Sequence, residues 1–169
     1  MEPKLERTLK DKLRKAKKIA LLGIGSELRG DDAAGVIIAE NIINACRKNK
    51  KLQKKLKSFI GSTAPENITG EIKKYKPTHL VIIDSVDMNE KPGAVKLIDL
   101  EHIEGITFCT HKLPVKILTD YLTKSIGCDI VIIGIQPKQF GFGMKLSKEV
   151  KSATEDIEKS MKDILIEKL

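Results

Sequence analysis

Short apolar runs alternating with longer stretches of helical periodicity predict an α/β fold: a three-layer α/β/α sandwich around a five-stranded, mostly parallel sheet. Three observations carry this expectation. Ile19-Ala-Leu-Leu-Gly23-Ile, His79-Leu-Val-Ile-Ile and Ile130 to Ile135 are apolar throughout, so both faces of the sheet they form must be covered. Between them lie segments whose apolar residues recur every three or four positions, the period of a helix with one buried side. The chain has 169 residues and 41% hydrophobic composition, enough for one core and too little for two domains of ordinary size.

Each element follows from its own residues. Residues 3–18 space Leu5, Leu9, Leu13 and Ala16 among charges, predicting an amphipathic N-terminal helix that lies on a single domain spanning 19–169. The run from Ile19 ends in Gly23-Ile-Gly25, as a buried strand feeding a tight loop does. After Gly30, Val36, Ile37, Ala39, Ile42, Ile43 and Cys46 give a helix an apolar face, with Asp31 or Asp32 expected to cap it. The lysine-rich stretch 47–57 reads as a continuation of that helix or a solvated second one. Phe59-Ile60-Gly61 predicts the second strand and Pro65 the first turn of a helix over 65–74. The third strand is His79 to Asp84, and the fourth, 94–100, is entered from the turn at Pro92-Gly93. A helix over 113–125, a strand over 129–135 and a helix over 147–167 capped by Ser147 complete the chain.

Charge narrows the function. The net charge is +8, which in isolation suggests a polyanionic partner. Residues 1–18 contribute +5 and residues 47–57 contribute +7, so the remainder of the chain is net acidic. There are four arginines and no tryptophan; the guanidinium forks and stacking rings of a base-reading surface are scarce, which argues against nucleic acid. The basic segments read first as solvated faces and second as a docking surface for an acidic protein. No apolar run approaches the ~20 residues of a membrane span, and the charged N-terminus lacks the apolar core of a secretory signal. A cytoplasmic protein, monomeric by default, is expected. Cys46, Cys109 and Cys128 are odd in number and widely spaced, which fits reduced thiols better than a disulfide framework or a zinc site.

In an open α/β sheet, ligands bind beyond the C-terminal strand ends, here in the loops after Gly23, Ile60, Asp84 and Ile135. The first loop, Gly23-Ile-Gly25-Ser-Glu-Leu-Arg-Gly30-Asp31-Asp32-Ala-Ala-Gly35, lacks the Lys-Ser/Thr of a phosphate loop. It also has Leu28 where a dinucleotide fingerprint needs its third glycine. Its aspartates would repel phosphate, so they serve either as helix caps or as ligands for a cation. Asp84 closes the third strand on the same edge, where an acid either meets solvent or joins a site. His111 lies in the loop Cys109-Thr110-His111-Lys112-Leu113-Pro114. Two carboxylates and an imidazole from three loops suit a borderline divalent ion such as nickel or zinc. The chain has no HExxH helix and no persuasive Ser-His-Asp or Cys-His arrangement.

These segments together, with Gly61-Ser-Thr-Ala-Pro-Glu66-Asn67, Ile83-Asp84-Ser-Val-Asp87-Met88, Thr110-His111-Lys-Leu-Pro114 and Gly134-Ile-Gln-Pro137, resemble the nickel-iron hydrogenase maturation endopeptidases. The likeness is greatest to the group that processes the large subunit of formate hydrogenlyase-type and energy-converting hydrogenases. It runs in order from about Ile19 to about residue 160. The resemblance implies an endopeptidase that removes a C-terminal extension from the large-subunit precursor after nickel insertion. It places the metal contacts on Asp32, Asp84 and His111, which act on catalysis through nickel supplied by the precursor rather than through a permanently bound ion. It also implies that one strand, 94–100, runs antiparallel to the others. Ser26 stands where the family usually has Asn, and Ile60 and Ser62 interrupt its usual Asp-Gly-Gly. A noncatalytic nickel-binding checkpoint or chaperone is the alternative function; nucleotide binding is disfavoured by Asp31 and Asp32.

Overall fold

The computed structural model describes residues 1–47, 49–99, 107–108 and 115–168. Helix α1 (Pro3–Lys12) precedes strand β1 (Ile19–Ile24), helices α2 (Ala34–Cys46) and α3 (Lys50–Lys55), and strand β2 (Leu56–Ser62). Helix α4 (Thr69–Tyr75), strands β3 (His79–Asp87), β4 (Val95–Ile98) and β5 (Thr107–Phe108), helix α5 (Val115–Ile126), strand β6 (Asp129–Ile135) and helix α6 (Lys148–Lys168) follow.

Five strands form the main path in the order β2-β1-β3-β6-β4, and β5 adds to the far end of β3. Strands β2, β1, β3 and β6 are parallel; β4 is antiparallel to β6, with Val95 opposite Ile135 and Ile98 opposite Ile132. The predicted sandwich with a single antiparallel strand on the main path is therefore observed, with 94–100 shortened to Val95–Ile98. Alternation along the strands divides the core. Ile19, Leu21, Val81, Ile83, Val131 and Ile133 pack with α1, α2 and α6, whereas Ala20, Leu22, Leu80, Ile82 and Ile132 pack with α4 and α5. This period of two is what makes three layers of one sheet.

Several boundaries differ from expectation, each for a local reason. Helix α1 stops at Lys12 rather than Lys18 because the backbone N–H groups of Lys17 and Lys18 donate to Thr78 Oγ1 (3.0 and 3.1 Å), aligning the chain with β3 before β1 begins. Its Leu9 and the Leu13 that follows it are fully buried in the same cluster as residues of α6. The lysine-rich stretch is not wholly helical: α3 ends at Lys55, and Leu56 already pairs with Ile19 in the sheet. The segment begun by Pro65 opens as a 3-10 turn, Pro65–Ile68, and becomes α-helical only at Thr69. Helix α5 ends as predicted to within a residue, and residues 113–114 of its predicted start lie outside the described set. Neither Asp31 nor Asp32 caps α2: Gly30–Ala33 is a 3-10 turn, and Ala33 takes the cap position with no side-chain hydrogen bond.

Both basic segments run into the N-terminal ends of neighbouring parallel strands. Lys17 and Lys18 precede β1 and α3 precedes β2, where Ile19 and Leu56 are in register. Lys17, Lys18 and α3 therefore lie at the sheet edge opposite the loops that follow β1, β3 and β6, whereas the start of α1 reaches Glu90 and Pro92 in the loop after β3. Among the described residues no helix is long and apolar enough to cross a membrane.

Candidate functional site

The loops at the C-terminal edge are drawn together by buried hydrogen bonds. Gly25 has φ +128°, and a Cβ there would lie 1.7 Å from the Asp32 carbonyl oxygen. Only glycine lets the loop leave β1 so close to the turn that carries Asp32. The Ser26 N–H then donates to Asp32 Oδ2 at 2.7 Å. Because this contact uses backbone, it is indifferent to Ser26 replacing Asn.

The next step joins this turn to β3. A Cβ on Gly35 would come within 2.2 Å of the Ile83 carbonyl and 2.5 Å of the Ile24 carbonyl, so the first turn of α2 sits directly on both strands. Ser85 Oγ donates to the Asp31 carbonyl at 2.6 Å. Asp84 lies between Ile83 and Ser85, so Asp84 reaches this edge from β3 and Asp32 reaches it from the 3-10 turn that follows the β1 loop. Both are fully buried.

Asp31 is equally buried but does different work. Its Oδ2 accepts from the N–H groups of Lys138 (2.8 Å) and Gln139 (3.0 Å) and from Ser147 Oγ (2.9 Å); its Oδ1 accepts from the Ser147 N–H (2.6 Å). The side chain thus clamps both ends of the segment joining β6 to α6. Ser147 also accepts from the Val150 N–H (3.3 Å), the expected cap of α6. Gln136 makes a second clamp: its Oε1 accepts from the N–H groups of Met88 (2.7 Å) and Glu90 (3.2 Å), and its Nε2 donates to Asp87 (3.2 Å). The Gly134-Ile-Gln-Pro137 motif therefore ties the loop after β6 to the loop after β3. The roles of Asp31 and Gln136 went unread in the sequence; the motif marked Gln136 without a task, and the paired aspartates marked Asp31 with the wrong one.

His111 lies outside the described residues, as do His102 and Cys109. The described strand nearest to them in sequence, β5, pairs with Val86 and Asp87, two to three residues beyond Asp84. Among the described residues no three His, Cys, Asp or Glu side chains converge as a metal site. His79 is at the opposite edge, 3.4 Å from Asp129. Cys46 ends α2 and Cys128 precedes β6; burial pushes both thiols above their usual range, which disfavours the thiolate a nucleophile needs. Neither serves this edge.

A family model of hydrogenase maturation proteases, HycI, matches residues 41–164. The chain belongs to this family. A hydrogenase maturation protease homologue from Methanocaldococcus jannaschii is 36% identical over 165 residues, 96% of this chain and 97% of that one. The hydrogenase 3 maturation protease of Escherichia coli K12 is 35% identical over 138 residues, 81% of this chain and 84% of its own. The crystal structure of a [NiFe] hydrogenase maturation protease, HycI, from Thermococcus kodakarensis superposes with a TM-score of 0.82 at 29% identity, covering 94% and 99% of the two chains. Membership of the maturation protease family makes this chain a peptidase and weighs against the noncatalytic checkpoint.

Proposed function

We propose that this hydrogenase maturation protease homologue is the cytoplasmic, monomeric endopeptidase that removes the C-terminal extension of a nickel-iron hydrogenase large-subunit precursor after nickel has been inserted. In this proposal Asp32, Asp84 and His111 contact nickel that arrives with the precursor, so the metal is part of the substrate. The observation that supports it most is the placement of two fully buried carboxylates at one sheet edge, Asp84 in β3 and Asp32 in the turn whose neighbour Gly35 packs on the Ile24 and Ile83 carbonyls.

The chemistry expected of such a site is positional first. Hard carboxylate oxygens with one imidazole hold a borderline ion less firmly than a set completed by thiolates, so the protein alone has little claim on nickel and the loaded precursor has much. Docking on a fixed point of the substrate brings the tail into register and removes most of the entropy of the encounter. The low-dielectric surroundings of the buried Asp32 and Asp84 would strengthen the polarisation of a carbonyl or water beside the metal.

Mass spectrometry of the precursor after incubation with the protein, with and without nickel, tests the proposal. Loss of the tail from the loaded precursor alone is expected, and Asp84→Asn, Asp32→Asn and His111→Ala should each lower the rate at least ~100-fold, the scale of losing a group that acts in the transition state. Unimpaired cleavage by any of the three removes that residue from the site. Equal cleavage of nickel-free precursor removes the requirement for metal while leaving the peptidase in place.

A further inference from the structure

The largest exposed apolar side chains of the C-terminal edge gather on one platform. Leu28 is 59% exposed, Phe142 80% and Met144 45%. Leu28 comes from the loop after β1 and the other two from the segment joining β6 to α6. The Gly143 N–H donates to the Leu28 carbonyl at 2.8 Å, which joins the two segments between Phe142 and Met144. Leu28 and Met144 also wall a groove of about 390 Å³ with Ala33, Ile37 and Leu146, and Glu27 and Lys145 add to its lining.

Two features separate this patch from incidental exposure. The first is order. The segment has no regular secondary structure, yet Asp31 holds residues 138, 139 and 147, the Met144 N–H bonds the Gly141 carbonyl (3.2 Å), and Gln139 Nε2 reaches the Lys145 carbonyl (3.0 Å). Apolar side chains held out on an ordered loop keep their contact geometry without an ordering cost on binding. Contiguous exposed apolar groups of this kind mark interaction sites in soluble proteins. The second is position. Gly30 and Ala33 both line the groove, and Asp32 lies between them in the same 3-10 turn. The groove is thus walled by the turn that carries Asp32.

We infer that the Leu28–Phe142–Met144 platform seats an apolar side chain of the precursor polypeptide adjoining the scissile bond, and so sets which tails are cut. This rests on the proposed function above and adds a specificity surface to it. That the turn carrying Asp32 forms part of the groove wall is what favours substrate as the occupant over a second copy of the chain.

The test compares wild type with Phe142→Ser, the Phe142→Ser/Met144→Ser pair and Phe142→Leu, using full-length nickel-loaded precursor. These positions are exposed, so thermal unfolding should be unchanged. A rise in KM of about tenfold or more for the double variant is expected, as for the loss of a binding hot spot, with kcat within ~twofold and Phe142→Leu near wild type. Unchanged KM, or a fall in kcat at constant KM, overturns the inference. If wild type itself leaves the precursor uncut, the protease proposal fails on its own, and co-sedimentation decides the platform: binding lost in the double variant upholds it, and binding retained overturns it. Sedimentation of the free protein supplies the last arm, where a dimer abolished by Phe142→Ser would assign the platform to self-association and overturn the inference.

Discussion

Asp31 offers the sharpest test of how this edge is built. Its carboxylate is fully buried and accepts four hydrogen bonds, all from residues 107 to 116 positions later in the chain. In Asp31→Asn, an amide oxygen in the Oδ2 position keeps the bonds from Lys138, Gln139 and Ser147 Oγ. Its NH2 then faces the Ser147 N–H, so one bond is lost and a buried donor is left without an acceptor. That combination costs about 2 kcal/mol. Asp31→Ala leaves three backbone N–H groups and a hydroxyl to find water, for ~3–5 kcal/mol, the scale of breaking a buried polar network. Against the 5–15 kcal/mol of a typical domain, roughly, the Asn variant folds and the Ala variant is marginal. In urea, with a slope near ~2 kcal/mol per molar, the Asn substitution lowers the midpoint by about 1 M at constant slope. Hydrogen exchange should locate the effect, with the Ser147 amide losing most protection. A midpoint shift below about 0.3 M in both variants, with Ser147 still protected, would show that the clamp carries no weight.

Two further outcomes follow from features away from the site. The Tyr75 hydroxyl is buried with no hydrogen-bond partner among the described residues, and burial pushes its ionisation up to about 12. The folded state thus binds the phenolic proton more tightly than the unfolded state, whose value is near ~10; the stability this contributes is complete below that value and is lost as pH rises towards 12. The chain has two tyrosines and no tryptophan, so in Tyr121→Phe the phenolate absorbance reports Tyr75 alone. A transition well above pH ~10 is expected, and one at the ordinary tyrosine value refutes the burial effect. The second concerns the basic segments. Because α3 feeds the N-terminal end of β2, reversing Lys50, Lys51, Lys54 and Lys55 to Glu should leave processing within about twofold at both low and moderate salt. A salt-dependent change in KM would instead make that edge part of the partner's docking surface.

What was legible in the sequence was what short range determines. The apolar runs at 19–24, 79–84 and 130–135 could be nothing but strands covered on both faces, and a strand-to-helix connection between them forces parallel order. Features decided at long range were not legible. Helix α1 ends at Lys12 because Thr78 captures residues 17 and 18, a contact about 60 positions away. Strand β2 begins at Leu56, inside a lysine run, because the register with Ile19 carries it there; composition marks that segment as solvated, and Leu56 is nevertheless buried.

The adjacent aspartates make the same point chemically. Two acids before a helix read as a cap and a spare, since one side chain suffices for the first turn. The fold uses neither in that way. A 3-10 turn rotates the pair so that Asp32 meets the Ser26 N–H on the β1 side while Asp31 points to the segment after β6. Equal burial therefore conceals opposite employment: Asp31 holds the wall, and Asp32 takes the Ser26 N–H in the loop after β1. The division has a consequence for substitutions. Asn at position 31 should act mainly on stability, and Asn at position 32 mainly on turnover. If both lowered turnover alike with stability intact, the clamp and the site would be one unit, and Asp31 would have to be counted among the groups that touch the substrate.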